Sequence, residues 1–247
     1  MYTRMAQVYD QLMQDAPYEK WVDFTISALN QFGNDRSLNV LDVGCGTGEI
    51  SVRLAQSGLK VTAFDQSQDM IDLAAVKAKK ADQNIHFFQS DARAFTVNDY
   101  YDVVVSYCDV LNYLTEENEL IDVFTHIYNS LLDDGLFVFD VHSQHYLNFL
   151  AESEIFSEVR DEITYIWFCE QTERAFEVEH DLTFFVQDEN LQYTRFDERH
   201  KQRAFTVDVY NDLLKSAGFT NILITEDFTF QPYTEESDRL FFICKKT

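Results

Sequence analysis

The sequence predicts an α/β fold: an open, mostly parallel sheet with helices on both faces. Three observations carry this. From residue 38 onward, apolar stretches of strand length alternate with stretches of helical periodicity. The strand stretches contain few polar residues, as in sheets covered on both sides. One strand-to-helix junction, Val40-Leu41-Asp42-Val43-Gly44-Cys45-Gly46-Thr47-Gly48-Glu49-Ile50, gathers three of the chain's seven glycines.

The elements follow in order. Met5, Val8, Tyr9, Leu12 and Met13 share a helical stripe. After Pro17 a second helix places Val22, Ile26 and Leu29 on one face with Trp21 beside them, and it ends at Gly33. Residues 1–33 are therefore expected as a helical cap. Its apolar stripes pack on the main domain by default, with Tyr9, Tyr18 and Trp21 available to close over a ligand. Strand one is expected at about 39–43, followed by a helix to Ser57. Strand two is Lys60 to Asp65. The next helix runs from Gln68 to Lys80, with Ser67 as N-cap and Met70, Leu73 and Ala74 facing inward. Strand three covers Ile85 to Gln89 and strand four Tyr101 to Tyr107. A helix from Glu116 to Leu132 leads through Asp133-Asp134-Gly135 into strand five, Leu136 to Val141.

Residues 151–205 change character. Residues 163–168, 176–186 and 191–196 read as strands, with Asp188-Glu189-Asn190 as a hairpin turn. This is an antiparallel insertion, so the main domain is expected at 34–150 and 206–247. Within it, Val207 to Ala217 is helical and stops at Gly218. Strands at 221–227 and 239–245 finish the chain.

Composition narrows the function. The chain has 247 residues, 46% of them apolar, with two prolines, enough for a full core and few linkers. Its 43 acids and 19 bases give a formal charge of −24. Nucleic-acid binding needs basic patches; the densest, Lys77-Ala78-Lys79-Lys80, reads as the solvated end of a helix, so no nucleic-acid partner is expected. No apolar run approaches the ~20 residues of a membrane span, and Met1-Tyr2-Thr3-Arg4 lacks a signal-peptide layout. A cytoplasmic protein without membrane contact is expected. Cys45, Cys108, Cys169 and Cys244 have neither C-x-x-C nor zinc spacing, which points to reduced thiols and no metal.

The glycine junction points to a ligand, because glycines there leave backbone N–H groups open at a helix N-terminus. The dinucleotide fingerprint is G-x-G-x-x-G. Here the spacing is G-x-G-x-G and Glu49 stands where its third glycine belongs. Asp42 would repel a pyrophosphate and suits a positively charged ligand. At the end of strand two, Asp65 offers a carboxylate to two vicinal hydroxyls; the alternative is a solvated acid before a helix.

The segment DVGCGTG resembles motif I of the class I S-adenosylmethionine-dependent methyltransferases. The resemblance implies their Rossmann-like seven-stranded mixed sheet, here with N-terminal helices and an antiparallel β insertion, and S-adenosylmethionine as cofactor. It implies that Asp42, Gly44, Cys45, Gly46 and Gly48 hold the methionine part and Asp65 the ribose. Gln66 would touch the adenosine, with Met70 either core or adenine contact. Asp91 would accept from the adenine amino group while the Ala92 N–H reaches a ring nitrogen. The matching acceptor-side positions are Tyr107, Asp109, Asn112 and Tyr113, with His142 on the same rim. Tyr107, Asp109 and His142 are the candidates for catalysis, with Asp109 or His142 as proton acceptor. No Asn/Asp-Pro-Pro-Tyr segment is present, which argues against planar amide or nucleobase nitrogens. Arg195, Arg199, His200, Lys201 and Arg203 meet either an acidic acceptor or neighbouring acids.

The whole chain resembles a group of small bacterial methyltransferases. In similar enzymes that methylate amino groups of sugars or amino acids, an inserted sheet serves acceptor binding or dimerisation, so a homodimer is expected by analogy. The function expected is methyl transfer to N or O of a small molecule. The alternatives are a non-catalytic cofactor-binding or partner-binding protein, a protein or nucleic-acid substrate, and a nicotinamide dehydrogenase.

Overall fold

The computed structural model describes residues 3–33, 38–96 and 100–247, with the side chains of Thr3, Arg4, Met5 and Gln7 outside that description. The readings placed on Met1, Tyr2 and the Met5 side chain thus lie outside the described residues. Helices α1 (Thr3–Leu12) and α2 (Tyr18–Phe32) precede the alternating region. There follow β1 (Asn39–Val43), α3 (Glu49–Gln56), β2 (Lys60–Asp65), α4 (Gln68–Lys80), β3 (His86–Gln89) and β4 (Tyr101–Ser106). A 3₁₀ helix (Val110–Tyr113), α5 (Glu117–Ser130) and β5 (Leu131–His142) complete this half. Helix α4 begins as expected: the Ser67 hydroxyl accepts the Met70 N–H at 3.4 Å, which satisfies one of the open amides of its first turn.

After β5 come α6 (Gln144–Ser153), β6 (Ile155–Val159), β7 (Ile163–Gln171), β8 (Glu177–Gln187) and β9 (Tyr193–Arg203). The chain closes with α7 (Val207–Ala217), β10 (Asn221–Glu226) and β11 (Arg239–Lys245). Seven strands form one sheet in the order β10-β11-β5-β4-β1-β2-β3; β6 to β9 form a second, four-stranded sheet. In the first sheet β1 to β5 pair in parallel, while β11 runs antiparallel to both neighbours. The order reverses beside β1, and in open sheets ligands bind at that switch, beyond the strand carboxyl ends.

Alternation along the strands sorts side chains to two cores. Leu41, Val104, Phe137, Phe139 and Phe242 pack with α5 and α7 on one face. Val40, Val103, Val138 and Phe241 pack with α2 and α3 on the other. The stack of Phe139 on Phe242, 4.5 Å between centroids, lies in the first of these cores.

The structure departs from the sequence expectations in four places. Strand five was expected to start at Leu136, but β5 starts at Leu131, with a register break against β4 around Asp133-Asp134-Gly135. Helix α6, read as no element, is capped by the Ser143 hydroxyl, which accepts the Tyr146 N–H at 3.1 Å. The insertion has four strands, not three, because β6 adds antiparallel to β7. Lys77 is not a solvated helix end: it pairs with Asp10 at 2.8 Å and Glu49 at 2.5 Å.

Candidate active site

A cavity of about 740 Å³ opens at the carboxyl ends of β1, β2 and β4 and continues to the second sheet. The sequence-derived residues Tyr18, Asp42, Gly44, Cys45, Gly46, Asp65, Gln66, Met70, Asp91, Ala92, Tyr107, Asp109 and His142 all line it.

The glycine turn forms its floor. Gly46 has φ +53°, and a Cβ there would meet nothing within 4 Å, so glycine keeps the space above it open. Gly48 does not line the cavity. Its φ is +77°, and a Cβ would stand 2.9 Å from that of Ala74; this glycine lets α3 approach α4. The Asp65 carboxylate accepts the Gly46 N–H and the Ser67 N–H, both at 2.9 Å. Each oxygen keeps further acceptor capacity toward the cavity.

Asp42 is buried and accepts from the Ser51 hydroxyl at 2.5 Å. Burial pushes its carboxyl up to about 7, against the Ser51 bond, and the nearby Asp65 adds to the rise. It has no basic partner among the described residues. A bound cation would supply one and release the proton. At the other end of this floor, the Asp91 carboxylate accepts from Arg93 and is held below its ordinary range by that bond.

Trp21 does not reach the cavity. Its indole N–H donates to Asp140 Oδ1 at 3.2 Å, and its ring packs edge-on against Phe228. Asp140 also accepts the Cys108 N–H at 2.8 Å and pairs with Arg239. Cys108 and Asp109 follow β4 with φ of +60° and +55°. Non-glycine residues in that region cost about 1–3 kcal/mol each and persist only when their surroundings hold them. Here Arg239 donates to Asp109 Oδ1 at 3.2 Å and Gln202 Nε2 donates to Oδ2 at 2.7 Å.

This network bears on the three catalytic candidates. Burial acts to raise the Asp109 carboxyl, but the Arg239 charge and the bonds from Gln202 and Arg239 oppose it, and the carboxyl lies below its ordinary value; it is a carboxylate that orients and a weak proton acceptor. Arg239 lies 2.6 Å from His142 Nε2. A guanidinium only donates, so that nitrogen is unprotonated and occupied, and the neutral ring carries its proton on Nδ1. Burial lowers the His142 pKa and favours this neutral form. In this arrangement neither His142 nitrogen offers a lone pair, which argues against His142 as the base. The Tyr107 hydroxyl is 2.7 Å from Thr25 Oγ1, whose own proton goes to the Trp21 carbonyl. Tyr107 thus donates within the wall.

Asn112, expected on the acceptor side, is instead fully buried framework: it bonds the His142 N–H and carbonyl and the Arg203 carbonyl. Tyr113 does line the cavity, with His200 edge-on at 5.9 Å. Of the basic run in β9, Arg195 and Arg199 pair with Asp197 and Asp181, and Lys201 lies near Glu177 and Glu179. His200 leaves that pattern by facing inward.

Sequence reasoning missed much of the far wall: Tyr146 and Leu150 of α6, Trp167 of β7, His180 and Leu182 of β8, Gln202 of β9, and Arg239 of β11. The available signal was strand alternation, which puts His180 with Leu182, and His200 with Gln202, on one face. Tyr9 of α1 and Met13, just after it, line the cavity. Helix α1 is held by Lys77 on one side and, on the other, by Arg160 of the second sheet, which donates to the Gln11 and Leu12 carbonyls. Arg160→Ala is expected to speed hydrogen exchange of the α1 amides and weaken ligand binding about fivefold, the worth of roughly 1 kcal/mol of exposed charge-assisted bonding. Unchanged exchange would show that α1 is held by other contacts.

The cavity can now be set beside known proteins. Residues 40–135 match a family described as "Methyltransferase domain". A protein of Geobacillus sp. (strain WCH70), GWCH70_2453, whose name proposes a methyltransferase, is 42% identical over 99% of each chain. The crystal structure of an S-adenosylmethionine-dependent methyltransferase from Clostridium acetobutylicum ATCC 824 superposes with a TM-score of 0.89 at 28% identity, covering 99% of this chain and 98% of that one. CalS10 of Micromonospora echinaspora, an amino pentose methyltransferase solved with SAM bound, shares the fold with a TM-score of 0.68 at 17% identity, covering 95% and 96%. Fold, glycine turn and full-length relatives agree: the chain belongs to the S-adenosylmethionine-dependent methyltransferases.

Proposed function

We propose that the chain moves a methyl group from S-adenosylmethionine to nitrogen or oxygen of a small molecule by in-line displacement, in the cytoplasm. The observation that carries the choice of cofactor is Asp42, a buried acid beside an open glycine turn with no basic partner among the described residues. The cavity fits that cofactor. Gly46 keeps room free where a Cβ would project, Asp42 meets a positive amino-acid end, and Asp65 has acceptor capacity for a ribose. Gly44 and Cys45 complete the turn, while Gln66, Met70, Asp91 and Ala92 flank the adenine end and Tyr18 closes the side. When bound, the cofactor supplies a methyl group already electrophilic on its sulfonium.

The chain's own part is alignment and exclusion of water. Asp109, fixed by Arg239 and Gln202, stands between the cofactor floor and the far wall. Helix α1 covers the cavity. Orientation of this kind is worth several kcal/mol of barrier, ~7 or more for a near-ideal pair. The second sheet is read as the acceptor-binding part of the protein, with a homodimer through it as the accompanying proposal; a monomer by light scattering at micromolar concentration overturns the latter. The charge of −24 argues against nucleic-acid acceptors, and among the described residues no helix is long and apolar enough to cross a membrane.

Proton linkage gives a first check. Because the ligand-free Asp42 titrates near 7, S-adenosylmethionine binding should release a proton below that pH. Affinity is expected to fall about fivefold from pH 7 to 6 and to approach tenfold per unit below that, and Asp42→Asn should abolish the dependence in calorimetry. The same shift affects stability. The folded value lies above the ordinary 3.8, so the stabilisation is full below 3.8 and is lost as pH rises through about 7. Asp42→Asn should therefore raise the Tm of the ligand-free protein at pH 8. Turnover is checked by offering a metabolite extract with a labelled methyl donor: S-adenosylhomocysteine and a labelled product are expected. Binding without product under all acceptor pools supports the non-catalytic reading instead.

A further inference from the structure

Beyond Asp109 the cavity continues between the 3₁₀ helix, α6 and β7 to β9. Among the described residues, the charged side chains lining this part are Asp109 and Arg239. Arg239 divides its charge between Asp109 and the fully buried Asp140. Asp140 accepts from Trp21, Cys108 and Arg239, so it too is a carboxylate. Two carboxylates and one guanidinium leave one net negative charge. The histidines of this wall do not offset it, because burial lowers His142, His180 and His200 toward the neutral form, His180 to about 4.

That negative charge is within reach of a ligand. Asp109 Oδ1 accepts from Arg239 and Oδ2 from Gln202. A carboxylate has about four acceptor positions, so about two remain, and 18% of the Asp109 side chain is accessible. Asp109 also stands close to the glycine turn. A Cβ on Gly44 would lie 2.6 Å from the Val110 side chain, so the chain after β4 rests on the turn that holds the methionine part in our reading.

We propose that the methyl acceptor is an amine, drawn into the chamber as its ammonium by the Asp109 carboxylate. The proposal rests on the methyl-transfer reading of the site and deepens it. An ammonium replaces its water with the open acceptor positions of Asp109 and meets the rings of Tyr146 and Trp167 on the same wall. A carboxylate or phosphate would enter against the net negative charge, with the Arg239 charge already shared by two acids. An alcohol must lose its proton as it attacks, and this wall supplies no base for it: Asp109 is a weak proton acceptor and His142 offers no lone pair. An amine needs no such base, because its neutral form attacks with a lone pair it already has. Amines ionise between about pH 8 and 10, and beside a sulfonium the ammonium form is disfavoured, so its proton passes to water. The nitrogen lone pair then forms the new C–N bond. The C–S bond breaks with its electron pair remaining on sulfur, and the methylated nitrogen leaves as an ammonium.

The test uses the full chain saturated with S-adenosylhomocysteine at about pH 7 and three probes of one shape: benzylamine, benzyl alcohol and benzoate, titrated by saturation-transfer NMR. Saturable benzylamine binding is expected, about tenfold tighter than benzyl alcohol, as a charge-assisted bond provides, with benzoate the weakest. Asp109→Asn should bring benzylamine down to the level of benzyl alcohol and leave benzyl alcohol unchanged, whereas general damage would weaken both. Asparagine tolerates the φ of +55° at this position, and Asp140 still holds Arg239, so the variant is expected to fold. Should it not fold, salt gives the same reading: about 1 M NaCl should remove the benzylamine preference without weakening benzyl alcohol. Benzyl alcohol or benzoate binding as tightly as benzylamine overturns the proposal while leaving methyl transfer in place. So does a benzylamine preference that survives Asp109→Asn, or no saturable benzylamine binding. Failure of S-adenosylhomocysteine itself to bind overturns both.

Discussion

Gly46→Val is expected to fold and to lose S-adenosylmethionine binding by at least about 100-fold, some 3 kcal/mol in calorimetry. Two effects add. The residue sits at φ +53°, where a β-branched side chain is strained by about 1–3 kcal/mol. A Cβ there meets no protein atom within 4 Å, so the chain itself accommodates the branch, and the methyl groups stand in the space the proposed cofactor occupies. Gly58 provides the control. It has φ +90°, nothing lies within 4 Å of a Cβ there, and it is not on the cavity wall. Gly58→Val should cost comparable stability and leave affinity unchanged. Equal affinity in wild type and Gly46→Val would remove the turn from the binding site.

Asp65→Ala is the second large effect. The carboxylate holds the Gly46 and Ser67 amides, one on each oxygen, and a carboxylate has about four acceptor positions. Two remain for vicinal hydroxyls. Hydrogen bonds to a charged group are worth about 1.5–3 kcal/mol each, so losing two predicts a fall in affinity of about 100-fold or more. Part of that loss comes from the turn, which also loses the anchor on Gly46. Asp65→Asn keeps one acceptor oxygen and should lie between wild type and alanine. Burial raises the Asp65 carboxyl against the bonds from Ser67 and Gly46. Wild-type affinity for Asp65→Ala would separate the ribose from this strand end.

The half of the cavity proposed for the cofactor was legible in the sequence because its signals are local. Asp42, the glycines and Asp65 each sit at the carboxyl end of a strand whose apolar run can be read from a few neighbours. Gly48 and Trp21 were legible as residues but not as positions: Gly48 faces Ala74 and Trp21 faces Asp140, contacts that depend on helix packing across the chain. The acceptor half was less legible for the same reason. Arg239 reaches Asp109 and Asp140 across 130 and 99 positions of sequence, and nothing near Arg239 marks it. Helix α6 went unread because its apolar stripe is short, with only Leu147 and Leu150 buried in it. His142 shows the limit most clearly. Its place on the rim follows from strand five, but its tautomer, which argues against a role as base, follows from a guanidinium on the last strand.

The most direct test is a crystal structure of the chain with S-adenosylhomocysteine. The account places the amino-acid end of that nucleotide against Asp42 and the Gly44–Gly46 turn, with the ribose hydroxyls on Asp65. Density for the nucleotide elsewhere, with the turn open and Asp65 bonded only to Gly46 and Ser67, would contradict it.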